Sequence, residues 1–156
     1  MLQNETLPKV EVKERTIGVI EAISVRPAFA KPTQLHEKVY ARAGFGLEGD
    51  HGGDGTITLI EAEVLEALEG ETGLSLSHIE SRRNVLTRNI DLNSLVGREF
   101  KVGNVRCRGF ELAEPCLHLE ELTQTGMIKA LVHRGGLRAE VLSDGWIEVG
   151  DQVAGE

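Results

Sequence analysis

Phe100-Lys101-Val102-Gly103-Asn104-Val105-Arg106-Cys107-Arg108 is the stretch that decides the fold. Two strand-like runs flank a two-residue turn containing glycine, the short-range signal for a β-hairpin. Ser143-Asp144-Gly145-Trp146 and Val149-Gly150-Asp151-Gln152 repeat that signal towards the C-terminus. Many short strands, few helices and frequent glycine turns predict a mainly β chain, a barrel-like antiparallel architecture.

Upstream the same reading holds. In the segment from Thr16 to Val25, Ile17, Val19, Ile23 and Val25 alternate on one face with Ile20 and Ala22 on the other, which predicts a strand buried on both sides and stopped by Pro27. Residues 26 to 34 read as a loop, and Lys38 to Ala43 as a second strand. It leads into a glycine-rich loop from Gly44 to Gly55, where the backbone must visit positive φ or approach a ligand closely. Thr58 and Glu61 have capping-box spacing before Ile60, Val64, Leu65 and Leu68, which predicts the main helix. Val85 to Arg88 reads as a strand, Leu92 to Leu95 as a short turn, and Leu117 to Leu122 and Met127 to Val132 as short helices. Residues 1–14 are polar and lack apolar periodicity, so they read as a flexible arm before a single domain over 15–156.

At 156 residues the chain can build a core without disulfides. Its two cysteines, with no CxxC or HxxxH spacing, predict neither a disulfide framework nor a structural zinc, and suit a reducing cytoplasm. The chain carries no secretory leader pattern and no apolar run long enough to cross a bilayer, so no membrane role is expected. A net charge of -8 argues against a nucleic-acid partner. The charge is segregated, however. Residues 82–138 hold ten Lys/Arg against six acids, a net +4, while the remainder holds seven against nineteen, a net -12. A positive cleft in an acidic protein suits a small anionic ligand better than a polymer.

Four groups of residues could carry chemistry. Cys116 follows the chain-stiffening Pro115 and opens the short helix from Leu117, with His118 two residues on; a thiolate there could serve as nucleophile or soft metal ligand, against the alternative of a buried small hydrophobe. Cys107 sits between Arg106 and Arg108 on a strand and reads as core. Arg82, Arg83, Asn84 and Arg88 could hold an anion through guanidinium forks and an amide, although strand geometry lets only some of them point inward together. Arg134 and Arg138 flank Gly135-Gly136, which reads either as a nest of amides for an anion or as a helix-to-strand turn with Gly135 capping the preceding helix. His51, in Gly49-Asp50-His51, could act as an acid/base or orienting group, with Asp50 either holding it or capping the turn.

Taken in order, Gly49-Asp50-His51, Thr58-Leu59-Ile60-Glu61, Arg82 through Asn93, Leu95-Val96-Gly97, Phe100 through Gly103, Glu111 through Cys116, Arg134 through Ala139 and Gly150-Asp151 give a chain that resembles the MOSC domain family, named for the C-terminal domain of molybdenum-cofactor sulfurases. The resemblance runs from about residue 15 to about residue 154 and describes a small stand-alone member. It implies a MOSC-type β-barrel with peripheral helices and a molybdenum pterin cofactor ending in a phosphate. Cys116 matches the family's functional thiol, a molybdenum ligand or a persulfide carrier. Arg82, Arg83, Asn84, Arg88, Arg134 and Arg138 become candidate cofactor contacts. The implied partners are an electron-donor protein, for reduction of N-hydroxylated bases and amidoximes, or a cysteine desulfurase, for sulfur delivery to a metal-sulfur centre; a non-catalytic pterin-binding module is the third alternative. The family also joins molybdenum to pyridoxal phosphate binding, but this chain has few lysines positioned for a Schiff base. Two departures stand out. Gly52-Gly53 replaces a basic or His residue frequent in relatives, and Ala113 stands where many carry a second cysteine, which leaves a single-thiol mechanism.

Overall fold

The structure is a computed structural model that describes residues 16–28 and 32–155; the expected arm over 1–14 lies outside the described residues. In chain order the strands are β1 (Thr16–Val25), β2 (Gln34–His36), β3 (Lys38–Arg42), β4 (Gly46–Leu47), β5 (Thr56–Glu61), β6 (Val85–Ile90), β7 (Glu99–Val102), β8 (Val105–Leu112), β9 (Leu137–Val141), β10 (Gly145–Glu148) and β11 (Gln152–Gly155). The helices are α1 (Ala62–Thr72), α2 (His78–Ser81), α3 (Leu117–Leu122) and α4 (Met127–Leu131), with a 3-10 turn at Leu92–Leu95.

Seven strands close a barrel in the order β11-β7-β8-β9-β5-β6-β1, sealed by a β1–β11 pairing, and β2 extends from β1 as a flap. Closure removes the sheet edges that an open β protein must protect. All of these pairings are antiparallel except β5–β6, which is parallel. A parallel neighbour needs a crossover connection, and α1 and α2 supply it. The barrel interior is filled by Ile20, Ile23, Leu59, Val85, Phe100, Val102, Cys107 and Leu137, each at most 1% exposed. A second cluster of Leu68, Leu76, Leu119, Met127 and Leu131 joins α1 to α3 and α4.

The hairpin at 100–108 forms as expected. Val102 pairs with Val105, and Gly103 takes a φ of 59°, the glycine position of a type II′ turn. The other two glycine turns do not form hairpins. β10 pairs with β3, not with β9 or β11, and with β4 makes a separate three-stranded sheet. The register is set by a partner a hundred residues away, which no local turn signal encodes.

Three further expectations are corrected. β1 is not buried on both sides: Ile17 is 53% exposed, and a register shift against β6 between Ile20 and Ala22 turns Ile20, Ile23 and Val25 all into the core. One extra residue at a β-bulge reverses the alternation that the simple period assumed. Thr58 and Glu61 are strand residues; α1 starts after Glu61, which makes no side-chain cap bond. The capping box lies instead at Ser77, whose hydroxyl accepts from the Glu80 amide while the Glu80 carboxylate accepts from the Ser77 amide. Gly135 does not cap α4; the chain leaves that helix through Val132, and His133 takes the positive φ.

The Ser77 box stiffens the turn that delivers Arg82-Arg83-Asn84 to β6. Ser77→Ala is expected to destabilise the protein by about 1 kcal/mol in urea denaturation, and restoring the cap with Asp to recover most of that loss.

Candidate functional site

One end of the barrel opens into a cleft of about 160 Å³ whose charged lining is Arg26, Arg82 and Arg138 against Asp50 and Asp54, with His51 at its rim. Each side chain arrives from a different element. Arg26 follows the end of β1. Arg82 closes α2 in the left-handed region, at φ 60°, which turns the chain sharply from helix to strand. Arg138 stands on β9 opposite Thr58 of β5, and its Nε lies 3.6 Å from Glu111 of β8.

Asn84 also lines the cleft, but its amide is already engaged. Oδ1 accepts from the Thr58 amide at 3.0 Å and from its hydroxyl at 3.3 Å, and Nδ2 donates to the Ser24 carbonyl at 3.1 Å and to Asp50 at 3.4 Å. Asn84 therefore ties β1, β5, β6 and the glycine-rich loop together at the cleft floor. Asp50 does not hold His51; its other oxygen accepts the Arg26 amide at 2.9 Å. His51 leans on Arg26 instead. Nδ1 donates to the Arg26 carbonyl at 3.2 Å, which leaves Nε2 as acceptor 3.5 Å from the Arg26 guanidinium. Asp54 accepts the Thr56 hydroxyl at 2.7 Å and the Thr56 amide at 3.1 Å. The Thr56 hydroxyl is the main reason its carboxyl is held below the usual carboxylate range; Arg138 adds a smaller push in the same direction.

Arg83 plays a different part. Its guanidinium is half-buried, with Nε donating to the Gly135 carbonyl and Nη2 to the Ala113 carbonyl, both at 2.7 Å. Burial, and secondarily the positive charge of Arg138, pull its pKa down to about 10, while the Cys116 thiol acts in the opposite sense. At neutral pH Arg83 is still a cation. Arg83 thus feels both Arg138 and Cys116, although Cys116 itself is exposed and stands outside the cleft lining.

The segment carrying the thiol is held from both sides. Glu114 accepts from the His133 amide at 2.7 Å and from His133 Nδ1 at 2.8 Å, and these contacts, the amide first, lower the pKa of Glu114. The Ala113 amide donates to Gly136 at 2.8 Å. Cys116 is the N-cap residue of α3, without a side-chain capping bond, and His118 is exposed two residues further on. Cys107 is fully buried, and burial raises its pKa to about 12, as befits a core thiol.

The remaining candidates are turned elsewhere. Arg88 is clamped between Glu21 and Glu66 on the outside of β6, and Arg134 spans from the Ala130 carbonyl to Glu71 at the end of α1. Neither lines the cleft. Sequence reasoning missed Arg26 and Asp54. Arg26 was hidden as the last residue before Pro27 in what read as a loop, whereas the Asp54-Gly55-Thr56 spacing, an Asx-type turn, was legible in principle.

The chain is thus a small closed β-barrel domain with an arginine-lined mouth and one exposed thiol. The MOSC domain profile matches residues 47–154, and the chain belongs to the MOSC domain family. Solved structures of similar fold include the YuaD protein from Bacillus subtilis (TM-score 0.77, 16% identity, 88% of this chain and 94% of that one). They also include YiiM from Geobacillus stearothermophilus (TM-score 0.72, 17% identity, 89% and 75%) and YiiM from Escherichia coli (TM-score 0.66, 14% identity, 88% and 69%). No curated protein matches the chain by sequence.

One titratable group supports the site from behind. His78 donates from Nε2 to the Arg83 carbonyl at 2.8 Å, while its Nδ1 is buried with no hydrogen-bond partner among the described residues. Burial holds its pKa below the ordinary imidazole value of 6.5. The unfolded chain therefore binds the proton first as pH falls, so the stability contributed by neutral His78 is complete above pH 6.5 and is lost progressively below it. His78→Gln, which cannot titrate, is expected to flatten the fall in urea midpoint between about pH 6.5 and 5, above the range where carboxylates titrate. An unchanged slope would assign the acid sensitivity to other groups.

Proposed function

We propose that this MOSC domain binds a molybdenum pterin cofactor by its phosphate-bearing end, with Arg26, Arg82 and Arg138 as the anion clamp and Cys116 as the protein's ligand to the metal. The observation that carries this reading is the Arg83 fork, which bonds the Ala113 carbonyl ahead of the exposed Cys116 and the Gly135 carbonyl ahead of the strand that brings Arg138 to the cleft. The donor chemistry fits the group: a soft thiol for the metal and planar guanidinium forks for the phosphate. No three His, Cys, Asp or Glu side chains converge as a metal site among the described residues. A metal held here would bring most of its ligands with it, as a pterin dithiolene does.

In this reading each residue has a physical task. Arg82 and Arg138 neutralise the phosphate, and Arg26, oriented by His51, completes the clamp. Arg83 holds the Cys116 segment in place through its hydrogen bond to the Ala113 carbonyl. Asn84 fixes the floor on which these groups stand. When bound, the cofactor supplies two-electron chemistry at the metal; N-hydroxylated bases and amidoximes are the proposed substrates, and an external protein supplies the electrons.

A second reading rests on one feature, the exposure of Cys116 outside the cleft. A thiol at the surface is accessible to a cysteine desulfurase and could carry sulfur as a persulfide. The two are separated by reconstituting wild type and Cys116→Ser anaerobically with the pterin cofactor and measuring molybdenum per chain. Near-stoichiometric metal in the wild type, reduced at least about tenfold in the variant, is expected if the thiol is a ligand contributing about 1.4 kcal/mol or more. Metal retained by Cys116→Ser would remove the ligand role, and cyanide-labile sulfur on Cys116 without bound metal would favour the carrier.

A further inference from the structure

The chain contains one Trp and one Tyr, and both stand on the outer face of the small three-stranded sheet, not in either core cluster. Trp146 on β10 and Tyr40 on β3 are register partners, with ring centroids 5.2 Å apart in an edge-to-face arrangement of 74°. Lys38, two residues from Tyr40 and so on the same face, places its ammonium 4.8 Å from the Trp146 ring centroid. Together they wall a cleft of about 350 Å³, backed by Val25, Val39 and Gly49. That volume falls in the small-molecule range.

A core gains most from burying its largest rings, yet Trp146 remains 55% exposed. Charge adds a second, independent indication. Glu48 on this wall is paired with Arg42 at 3.3 Å, and Lys38, opposite Glu148 in the β3–β10 register, holds its ammonium against the Trp146 ring at the cleft. The wall therefore offers aromatic surface and a cation side by side, on a chain whose overall charge is -8. Val25 borders both this cleft and the arginine-lined one, and Gly49 and Asp50 are sequence neighbours, so the two clefts flank the same glycine-rich loop.

We infer that the Trp146–Tyr40–Lys38 cleft is a second ligand site, for a flat one- or two-ring aromatic molecule bearing a carboxylate or similar anionic group. The ring packs on Trp146 and Tyr40, and the anion faces Lys38. This site does not depend on molybdenum or on Cys116.

The single tryptophan provides the readout. In ¹⁵N-labelled protein its indole Nε1–H gives one resolved signal, to be followed while 2-naphthoate is added. A saturable shift is expected, with cyclohexanecarboxylate, an anion without the aromatic face, about tenfold weaker. Lys38→Met, an exposed substitution, is expected to weaken 2-naphthoate by about fivefold and to leave neutral 2-naphthalenemethanol unchanged. Cys116→Ser should leave all these titrations unaltered, which keeps the result separate from the outcome for molybdenum. No saturable shift up to the solubility limit of 2-naphthoate, equal binding of cyclohexanecarboxylate, or indifference to Lys38→Met would each overturn the proposal.

Discussion

The half-buried guanidinium of Arg83 is the contact on which the candidate site depends. Its two hydrogen bonds reach carbonyls on two separate segments, Ala113 ahead of the thiol and Gly135 ahead of β9. Hydrogen bonds from a charged donor are worth roughly 1.5–3 kcal/mol each, and a carbonyl left buried without a donor costs a comparable amount. A lysine at this position would present one ammonium where two fixed directions are needed. The glycines belong to the same packing unit. A Cβ on Gly135 would lie 2.6 Å from the Ala113 carbonyl oxygen, and one on Gly136 would lie 2.1 Å from that of Leu59. Cation, carbonyls and glycines thus form one close approach in which the segment ahead of Cys116 packs on Gly135 and Gly136 packs on Leu59 of β5.

From this follows a division among the arginines that composition alone does not reveal. Arg88 and Arg134 are spent on carboxylates and a carbonyl at the surface, where exposed pairs contribute little to stability. Arg83 is spent on backbone. Arg26, Arg82 and Arg138 line the cleft, and their excess over Asp50 and Asp54 gives it a cationic lining within an acidic protein. A cleft of this sign concentrates small anions while the acidic remainder disfavours polyanions. The same cleft owes its shape to Asn84, whose amide has exhausted its hydrogen bonds on β1, β5 and the glycine-rich loop.

Much of this was legible in the sequence wherever the signal was local. The Gly103-Asn104 turn, the start of α3 after Cys116 and the segregation of positive charge into residues 82–138 depend on neighbours in the chain. The failures share a cause in non-local pairing. Gly145 and Gly150 carry sound turn signals, but β10 is captured by β3, so neither turn closes a hairpin. In β1 a single bulged residue reversed the inside and outside of a correctly placed strand. The arginines in 82–88 could be named as a group, yet their separate fates hinge on where Ala113, Gly135, Glu21 and Glu66 come to lie. Arg82 in particular departs from strand alternation, because its positive φ places it at a helix end.

The measurement that bears most directly on this account is amide hydrogen exchange in the wild type and in Arg83→Lys. The Ala113 amide is bonded to Gly136, so its protection reports whether the two segments remain joined. Protection is predicted to fall together over residues 112–118 and 134–137 in the variant, while the amides of β7 and of the β7–β8 hairpin keep wild-type rates. Unchanged protection at Ala113, or a uniform loss across the whole barrel, would contradict the claim that the Arg83 fork is what holds the thiol segment in place.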